Sequence, residues 1–363
     1  MNENSAAQYL RQRVIGNSLC THCGACVNLC PYFVSHSDRI VVLDHCDRME
    51  GGCFDVCPRA PTEVGELQRL LFDQADLTPE AGAIKEFYVT RAADASVRAN
   101  AQHGGTVTAL MDLALKAGLI DTAILSRETE PLLPVGTTAA EAGEAGRLSK
   151  SHFVVSPNVA TFNKVARGET KAIGVVATPC QALALAKMRV SRNVRVRENA
   201  KKLRLVIGLF CGWAFSWSAL KQRLEDHRVD LNSIVSMDIP PSKYHALEVV
   251  TREGKVSISL DEVQDVVRSC CHYCEDMTSE FGDISVGSAR LPEGWEEARS
   301  WNQTIVRSEE GRRLMDLARK QGVLEFREVP EGNLKKLKEA SLNKKKGGTD
   351  ALKTMNKSND SVH

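Results

Sequence analysis

The sequence predicts an α/β protein, a body of mixed sheet and helices preceded by a small cysteine-rich N-terminal domain. Three observations carry that expectation. The chain has 363 residues, 43% hydrophobic and 26% charged, which suits two or three globular domains and excludes global disorder. Short β-branched runs alternate with helical patterns through the middle of the chain. Seven of the 12 cysteines crowd between Cys20 and Cys57.

Residues 1–62 form the cysteine-rich domain, which has too few apolar residues to fold without a metal staple. Residues 63–84 read as a linker, with turn-prone Thr78-Pro79-Glu80 and Gly82. The body divides into 85–165 and 166–330. Val107, Leu110, Met111, Ala114 and Leu115 recur at helical spacing, and Gly118 is placed to end that helix. Residues 123–125, 173–177, 205–210 and 284–286 are short and bounded by polar residues or glycine, which predicts buried strands. Residues 248–260 predict a hairpin, Val249 and Thr251 alternating against Val256 and Ile258 about Glu253-Gly254. Helical patterns return at 219–227 and 311–322. Residues 331–363 carry eight lysines against four acids, so a solvated helix fraying into partial disorder is expected, with a basic docking arm as the alternative.

Basic and acidic residues number 47 and 46, and this balance gives no overall attraction to nucleic acid or to anionic membrane. No apolar run approaches the roughly 18 residues of a membrane span, and the polar N-terminus lacks the apolar core of a signal peptide. A soluble, cytoplasmic protein is expected, with no membrane insertion and no nucleic-acid partner. The cytosol keeps thiols reduced, so this many cysteines point to metal rather than disulfides.

The segment CTHCGACVNLCP places Cys20, Cys23, Cys26, Cys30 and Pro31 at C-x2-C-x2-C-x3-C-P, the run by which bacterial-type ferredoxins hold 4Fe-4S cubanes. Three close thiolates wrap one cubane, and the fourth points to a second. The N-terminal domain is therefore expected to be a ferredoxin-like iron–sulfur domain, with Gly24 letting the backbone approach the inorganic sulfides. Cys46, Cys53, Cys57 and Pro58 supply the reciprocal group. Structural zinc favours paired C-x2-C units and matches this poorly. Cys20, Cys23, Cys26 and Cys57 complete one cluster, which leaves Cys30, Cys46 and Cys53 for the other. Seven cysteines cannot fill eight sites. Either a non-cysteine group completes the second cluster, Asp47 and His45 being nearest, or that cluster is 3Fe-4S.

Cys180 and Cys211 each follow an expected strand, at the carboxyl edge where open α/β sheets assemble sites. Cys271 and Cys274 form a C-x2-C pair from a loop before residues 284–286. Spacing alone leaves buried free cysteines as the alternative.

Five blocks then resemble, in order, the beta subunit of coenzyme F420-reducing hydrogenase: QHGGTVTALMDLALKAGLIDTAIL, SHFVVSPNV, ATPCQALALAKMR, IGLFCGWAFSWSALKQ and RSCCHYCEDMTSEFGDISVGSA. The wider family includes formate dehydrogenase beta subunits and the chlorophyll-pathway reductases of plants and cyanobacteria. The likeness runs from about residue 85 to 325. It implies one FAD beside a 4Fe-4S cluster held by Cys180, Cys211, Cys271 and Cys274, with Cys270 a packing bystander. The expected cofactors are thus FAD and two or three iron–sulfur clusters.

The chain has no G-x-G-x-x-G fingerprint. Gly104-Gly105-Thr106 opens a helix, where glycines and the helix N-terminus suit a pyrophosphate. The resemblance implies that this is the FAD phosphate site, assisted by the Thr106 and Thr108 hydroxyls. It also implies that Ser156-Pro157-Asn158, Thr178 and Lys243 lie near the flavin. Read alone, these residues are a helix start, a turn with a cap, and an exposed lysine. His103 and His272 flank the sites and read as structural.

A hydride carrier exchanges two electrons and a cubane one, and a flavin connects the two. No residue is needed as nucleophile or strong base. The expectation is an FAD- and iron–sulfur-dependent oxidoreductase subunit. Its electrons pass between a low-potential redox partner and coenzyme F420 or a similar small-molecule hydride carrier. The rivals are a stand-alone ferredoxin-dependent reductase of an unsaturated organic substrate and a non-catalytic electron-transfer subunit of a larger complex.

Overall fold

The computed structural model describes residues 5–148, 152–240 and 245–360. The N-terminal domain opens with a helical turn at Ala6–Tyr9, where the Ser5 hydroxyl accepts from the Gln8 amide. The hairpin of β1 (Phe33–His36) and β2 (Arg39–Val42) lies between its cysteine loops. Ala7, Leu10, Val14, Leu19, Phe33 and Ile40 pack with Cys53, while Cys20, Cys26, Cys30, Cys46 and Cys57 border the same cluster. The cysteines are therefore a large part of this domain's own core, as expected of a metal-stapled fold.

The stretch expected as a linker is ordered. Helix α1 (Val64–Leu71) buries Leu67, and β3 (Leu77–Thr78) pairs with β4 (Gly82–Ala83). The turn residues are real, since the Thr78 hydroxyl donates to Gly82 O at 2.9 Å. They close a tight ladder instead of a loose connection. Leu67 and Phe72 explain the order, because both join the core beneath the main sheet.

The body then runs β5 (Glu86–Ala92), α2 (Thr106–Lys116), β6 (Thr122–Glu130), β7 (Leu133–Ala139), α3 (Asn158–Val165), β8 (Ile173–Ala177), α4 (Pro179–Arg189) and β9 (Leu203–Leu209). It continues through α5 (Trp217–Asp226), β10 (Ile234–Asp238), β11 (Ala246–Thr251), β12 (Lys255–Ser259), β13 (Ile284–Ser288), β14 (Asn302–Val306), α6 (Glu309–Lys320), β15 (Leu324–Arg327) and α7 (Asn333–Asp360). All four runs expected as buried strands are strands, and both parts of the body contribute to one eight-stranded sheet, ordered β15-β5-β14-β13-β9-β8-β6-β7. Neighbours β13, β9, β8 and β6 are parallel. Because β14 runs against both β13 and β5, β5 shares the parallel direction. Five strands thus end at one edge.

The pleat sorts side chains between two cores. Ile124, Val175 and Val206 meet α3 and α4 on one face, whereas Leu125, Val176 and Ile207 meet α2 and α6 on the other. Helix α2 ends as its sequence predicts, with Gly118 at φ +66. The expected hairpin pairs Val249 with Val256 and Leu247 with Ile258. With β10 it forms a three-stranded sheet packed on α5.

The helix expected in the C-terminal tail is present, residues 333–360 forming the 28-residue α7. Leu337 and Ser341 are buried, and Lys338, Lys344 and Lys345 find carboxylates and carbonyls on the body, so part of the charge that composition reads as solvated is partnered.

Candidate metal centres

The twelve cysteines are all free thiols and fall into three groups. In the first, the loop after Leu19 is wound tightly by three left-handed residues, His22 (φ 58), Gly24 (φ 84) and Asn28 (φ 59). Cys30 N bonds back to Cys26 O at 3.1 Å. This brings Cys20, Cys23 and Cys26 beside Cys57, which arrives from the turn after Gly52–Asp55. Burial pushes the Cys20 thiol up to about 11, and the neighbouring Cys57 charge adds to the shift. Cys23 and Cys26 are driven well up by burial and then by their neighbours' charges. Four buried or half-buried cysteines that repel one another as thiolates fit a cationic iron core, which neutralises them.

Gly24 is needed for domain docking as well. A Cβ there would lie 2.8 Å from Ala160 N and 2.9 Å from Pro157 O. Its close approach is to the N-terminus of α3, so it fixes domain docking.

The second group is Cys30, Cys46 and Cys53. Burial, then the Cys30 charge, pushes Cys53 up to about 12, with Cys46 contributing further. His45 and Asp47 sit in the same loop, but Nε2 and Oδ1 pair with each other at 2.6 Å. His45 and Asp47 are thus the polar side chains nearest this group in sequence, held to each other.

The third group assembles at the sheet edge, as the strand-end positions predict. Cys180 lies in the first turn of α4, capped by Thr178, whose amide donates to Gln181 Oε1 at 2.9 Å. Cys211 follows β9, its amide bonded to Met277 O at 2.8 Å. Cys271 and Cys274 come from the tight turn Ser269–Tyr273 and its end. Burial raises Cys211 first, then the charges of Cys180 and Cys274, so the four thiols share one field. Cys270 is buried beside them, and its hydrogen bond with Cys271 lowers its pKa to about 6, helped by Arg268 and Arg59. Among the described residues no three His, Cys, Asp or Glu side chains close around a single metal ion.

The first and third groups adjoin. The largest neighbouring charge acting on Cys23 is that of Cys180, and the Thr21 side chain hydrogen-bonds Cys180. Arg268 spans the junction, donating to Cys20 O at 3.2 Å and to Asp38 O at 2.8 Å. Asn163 Nδ2 donates to Ala25 O and Val27 O, and Lys187 Nζ donates to Cys57 O at 2.7 Å. The sequence reading missed Lys187, Arg59 and Arg268. For Lys187 a signal exists: it is the one charge in ALALAKM, in a helix buried on nearly every side.

The residues expected near a flavin separate into two places. Ser156, Asn158 and Thr178 meet at the end of β8. Asn158 Nδ2 donates to Val176 O at 2.8 Å, Ser156 Oγ donates to Asn158 Oδ1 at 2.7 Å, and Gln181 Nε2 reaches Ser156 O at 2.5 Å. Pro157 precedes α3 as its cap residue. The network touches the third group, since Thr178 Oγ1 lies 3.3 Å from Cys180 Sγ. Gly104, Gly105, Thr106 and Thr108 sit apart, at the start of α2 beyond β5. Thr106 is spent inside the protein, its amide taken by Asn302 Oδ1 at 3.2 Å and its hydroxyl by Thr90 at 2.9 Å. A Cβ on Gly104 would meet Asn302 Oδ1 at 2.7 Å, so that glycine serves packing. Thr108 is also buried. Lys243 lies outside the described residues. His103 stacks edge-on against Trp295 at 5.6 Å.

A ferredoxin-type module bolted to the carboxyl edge of an α/β sheet, with cysteines gathered at the junction, defines an iron–sulfur oxidoreductase subunit. The family models agree. Residues 87–163 match the N-terminal and 170–332 the C-terminal model of the coenzyme F420 hydrogenase/dehydrogenase beta subunit, and 13–34 match the 4Fe-4S binding domain. The chain belongs to the family of coenzyme F420 hydrogenase/dehydrogenase beta subunits. It is 27% identical to a component of the F(420)H(2) dehydrogenase of Methanosarcina mazei, over 93% of this chain and 92% of that protein. It is also 27% identical to the coenzyme F420-dependent sulfite reductase of Methanocaldococcus jannaschii, over 85% of this chain, but spans only 48% of that protein's length. A chain of the F420-reducing NiFe hydrogenase complex of Methanosarcina barkeri superposes with a TM-score of 0.70 at 25% identity, covering 76% of this chain and 94% of its own. Among the described residues no helix is long and apolar enough to cross a membrane.

Proposed function

We propose that this chain relays electrons between a bound FAD and three iron–sulfur centres. In this reading it exchanges them between a low-potential partner protein or ferredoxin and coenzyme F420 or a similar hydride carrier. The observation that carries it is the nearness of Cys23 to Cys180, which border one core and whose charges act together, at a sheet edge that also holds Ser156, Asn158 and Thr178. FAD, when bound, supplies the exchange between paired and single electrons. The chain's own residues bind and orient. Cys20, Cys23, Cys26 and Cys57 hold the first centre, Cys30, Cys46 and Cys53 the second, and Cys180, Cys211, Cys271 and Cys274 the third. Lys187, Arg59 and Arg268 place fixed positive charge around the first group, and burial keeps water away from the sulfurs. The Thr178–Gln181–Ser156 chain of hydrogen bonds fixes the wall beside Cys180, where a flavin ring would lie. The first-turn amides of α2 beyond Thr106 are the candidate phosphate cradle.

Cofactor content tests the reading. Protein purified without oxygen is expected to carry about 11–12 irons with matching acid-labile sulfide and one flavin per chain, and to reduce or oxidise F420 with a redox dye. About one or two zincs without sulfide, or iron without flavin, overturns it.

A further inference from the structure

Helix α7 begins at Asn333, just beyond the matched family segment, and lies across the loops that carry the third cysteine group. Its contacts fall on one face at helical spacing. Lys338 Nζ pairs with Glu80 at 3.8 Å, Lys345 Nζ with Glu280 at 2.8 Å, and Thr349 with Glu275. Between them Lys344 Nζ donates to two carbonyls, Gly212 O and Cys271 O, the latter at 3.3 Å. One carbonyl belongs to the residue after Cys211 and the other to Cys271 itself. A single ammonium therefore ties together two loops that come from distant parts of the sequence.

The helix also carries a glycine pair, which weakens a helix interior. The two glycines are not equivalent. A Cβ on Gly348 would fall 2.6 Å from Cys274 O and 2.8 Å from its carbonyl carbon, whereas one on Gly347 would meet nothing within 4 Å. Gly348 lets backbone meet backbone over the Cys271–Cys274 turn. Asn343, Lys344, Gly347 and Gly348 face Trp213 and His272 across a cleft that reaches Cys271 and Cys274.

We propose that α7 is a strap over the third centre, in which Lys344 is a positioning residue that holds the Cys211 and Cys271 loops together and raises that centre's reduction potential. This rests on the reading of Cys180, Cys211, Cys271 and Cys274 as cluster ligands. The physical reason is charge. A cluster gains a negative charge on reduction, and a fixed cation nearby favours the reduced form. Lys344 Nζ, bonded to Gly212 O and Cys271 O, stands beside two of the four proposed ligands. Gly348 sets the distance at which it stands.

The test is a redox titration of the anaerobic holoprotein followed by electron paramagnetic resonance. Lys344→Gln is expected to lower the third centre's potential, changing its oxidised-to-reduced ratio at fixed potential by about threefold or more. The N-terminal centres should not move, and Lys344→Arg should restore most of the value. Gly348→Ala should speed bleaching of the third centre in air, while Gly347→Ala behaves as wild type. An unchanged potential in Lys344→Gln, an equal shift of all centres, or equal effects of the two glycine changes overturns the strap. Cys211→Ser serves as reference. If it removes no cluster signal, the ligand reading fails, a result distinct from the failure of α7's role.

Discussion

The two cysteine neighbourhoods are built on opposite principles. In the N-terminal domain the cysteines lie within 38 residues of chain and are themselves part of the core. In the body they come from three segments about 94 residues apart from end to end, and a sheet with two apolar faces positions them. One site makes its fold, and the other is made by its fold. The difference teaches where each should fail.

Iron removal should separate the two regions most widely. Chelation under reducing, anaerobic conditions is expected to unfold the N-terminal domain while the sheet survives, because metal binding supplies the folding free energy of the first and not of the second. Hydrogen exchange followed by mass spectrometry should show protection lost over residues 5–62 and kept in α2 and α6. Simultaneous loss throughout would erase the distinction.

Arg307 offers the converse perturbation. It is fully buried, and its guanidinium donates to Ser285 Oγ, Ala81 O, Ala83 O, Thr278 O and Thr278 Oγ1. It thereby anchors the loop after Cys274, and although burial lowers its pKa to about 10, it stays charged at neutral pH. Arg307→Met leaves the carbonyls of Ala81, Ala83 and Thr278 without their donor and removes the charge that offsets Asp276 and Glu280, and should cost about 3–5 kcal/mol. Denaturant titration should show that loss, and the third centre's signal should disappear before the N-terminal ones. Equal loss of all centres would contradict a body-held site.

The smallest expected effect is a pH slope confined to the body. Burial first, and then the charge of Asp276, lifts the Glu280 carboxyl up to about 7. A raised acid binds its proton more tightly folded than unfolded. Its contribution is therefore full below its unfolded pKa and is lost as pH rises through about 7. All four tryptophans lie beyond residue 200, so their fluorescence reports the body. Between pH 5.5 and 8 this group should cost the body about 1–2 kcal/mol, and Glu280→Gln should flatten the slope. An unaltered slope would assign the dependence elsewhere.

Legibility in the sequence follows the same division. Local order is written locally. The x2-x2-x3 spacing gives the 4Fe-4S binding motif that the family model matches over 13–34, and the β-branched runs at 173–177 and 284–286 give strands. Strand-end placement of Cys180 and Cys211 is legible too, because a sheet edge needs only the strands. What the chain hides is partnership across distance. Leu67 and Phe72 order a stretch whose composition suggests a linker, and lysines 344 and 345 find Cys271 O and Glu280 only once the sheet exists. Gly104 and Thr106 show the limit from the other side. A glycine-rich helix start looks the same whether it awaits an anion or packs against Asn302, and here Asn302 occupies the Thr106 amide.

The docking of the N-terminal domain has a kinetic meaning. Asn28 donates to Ala160 O at 2.9 Å, and Asn163, Lys187 and Arg268 fasten the other sides. A freely diffusing carrier must collide with its acceptor, and its throughput falls with dilution. Here the encounter is permanent, so traffic across the junction should be first-order and indifferent to protein concentration, leaving only the outward face to depend on meeting another molecule.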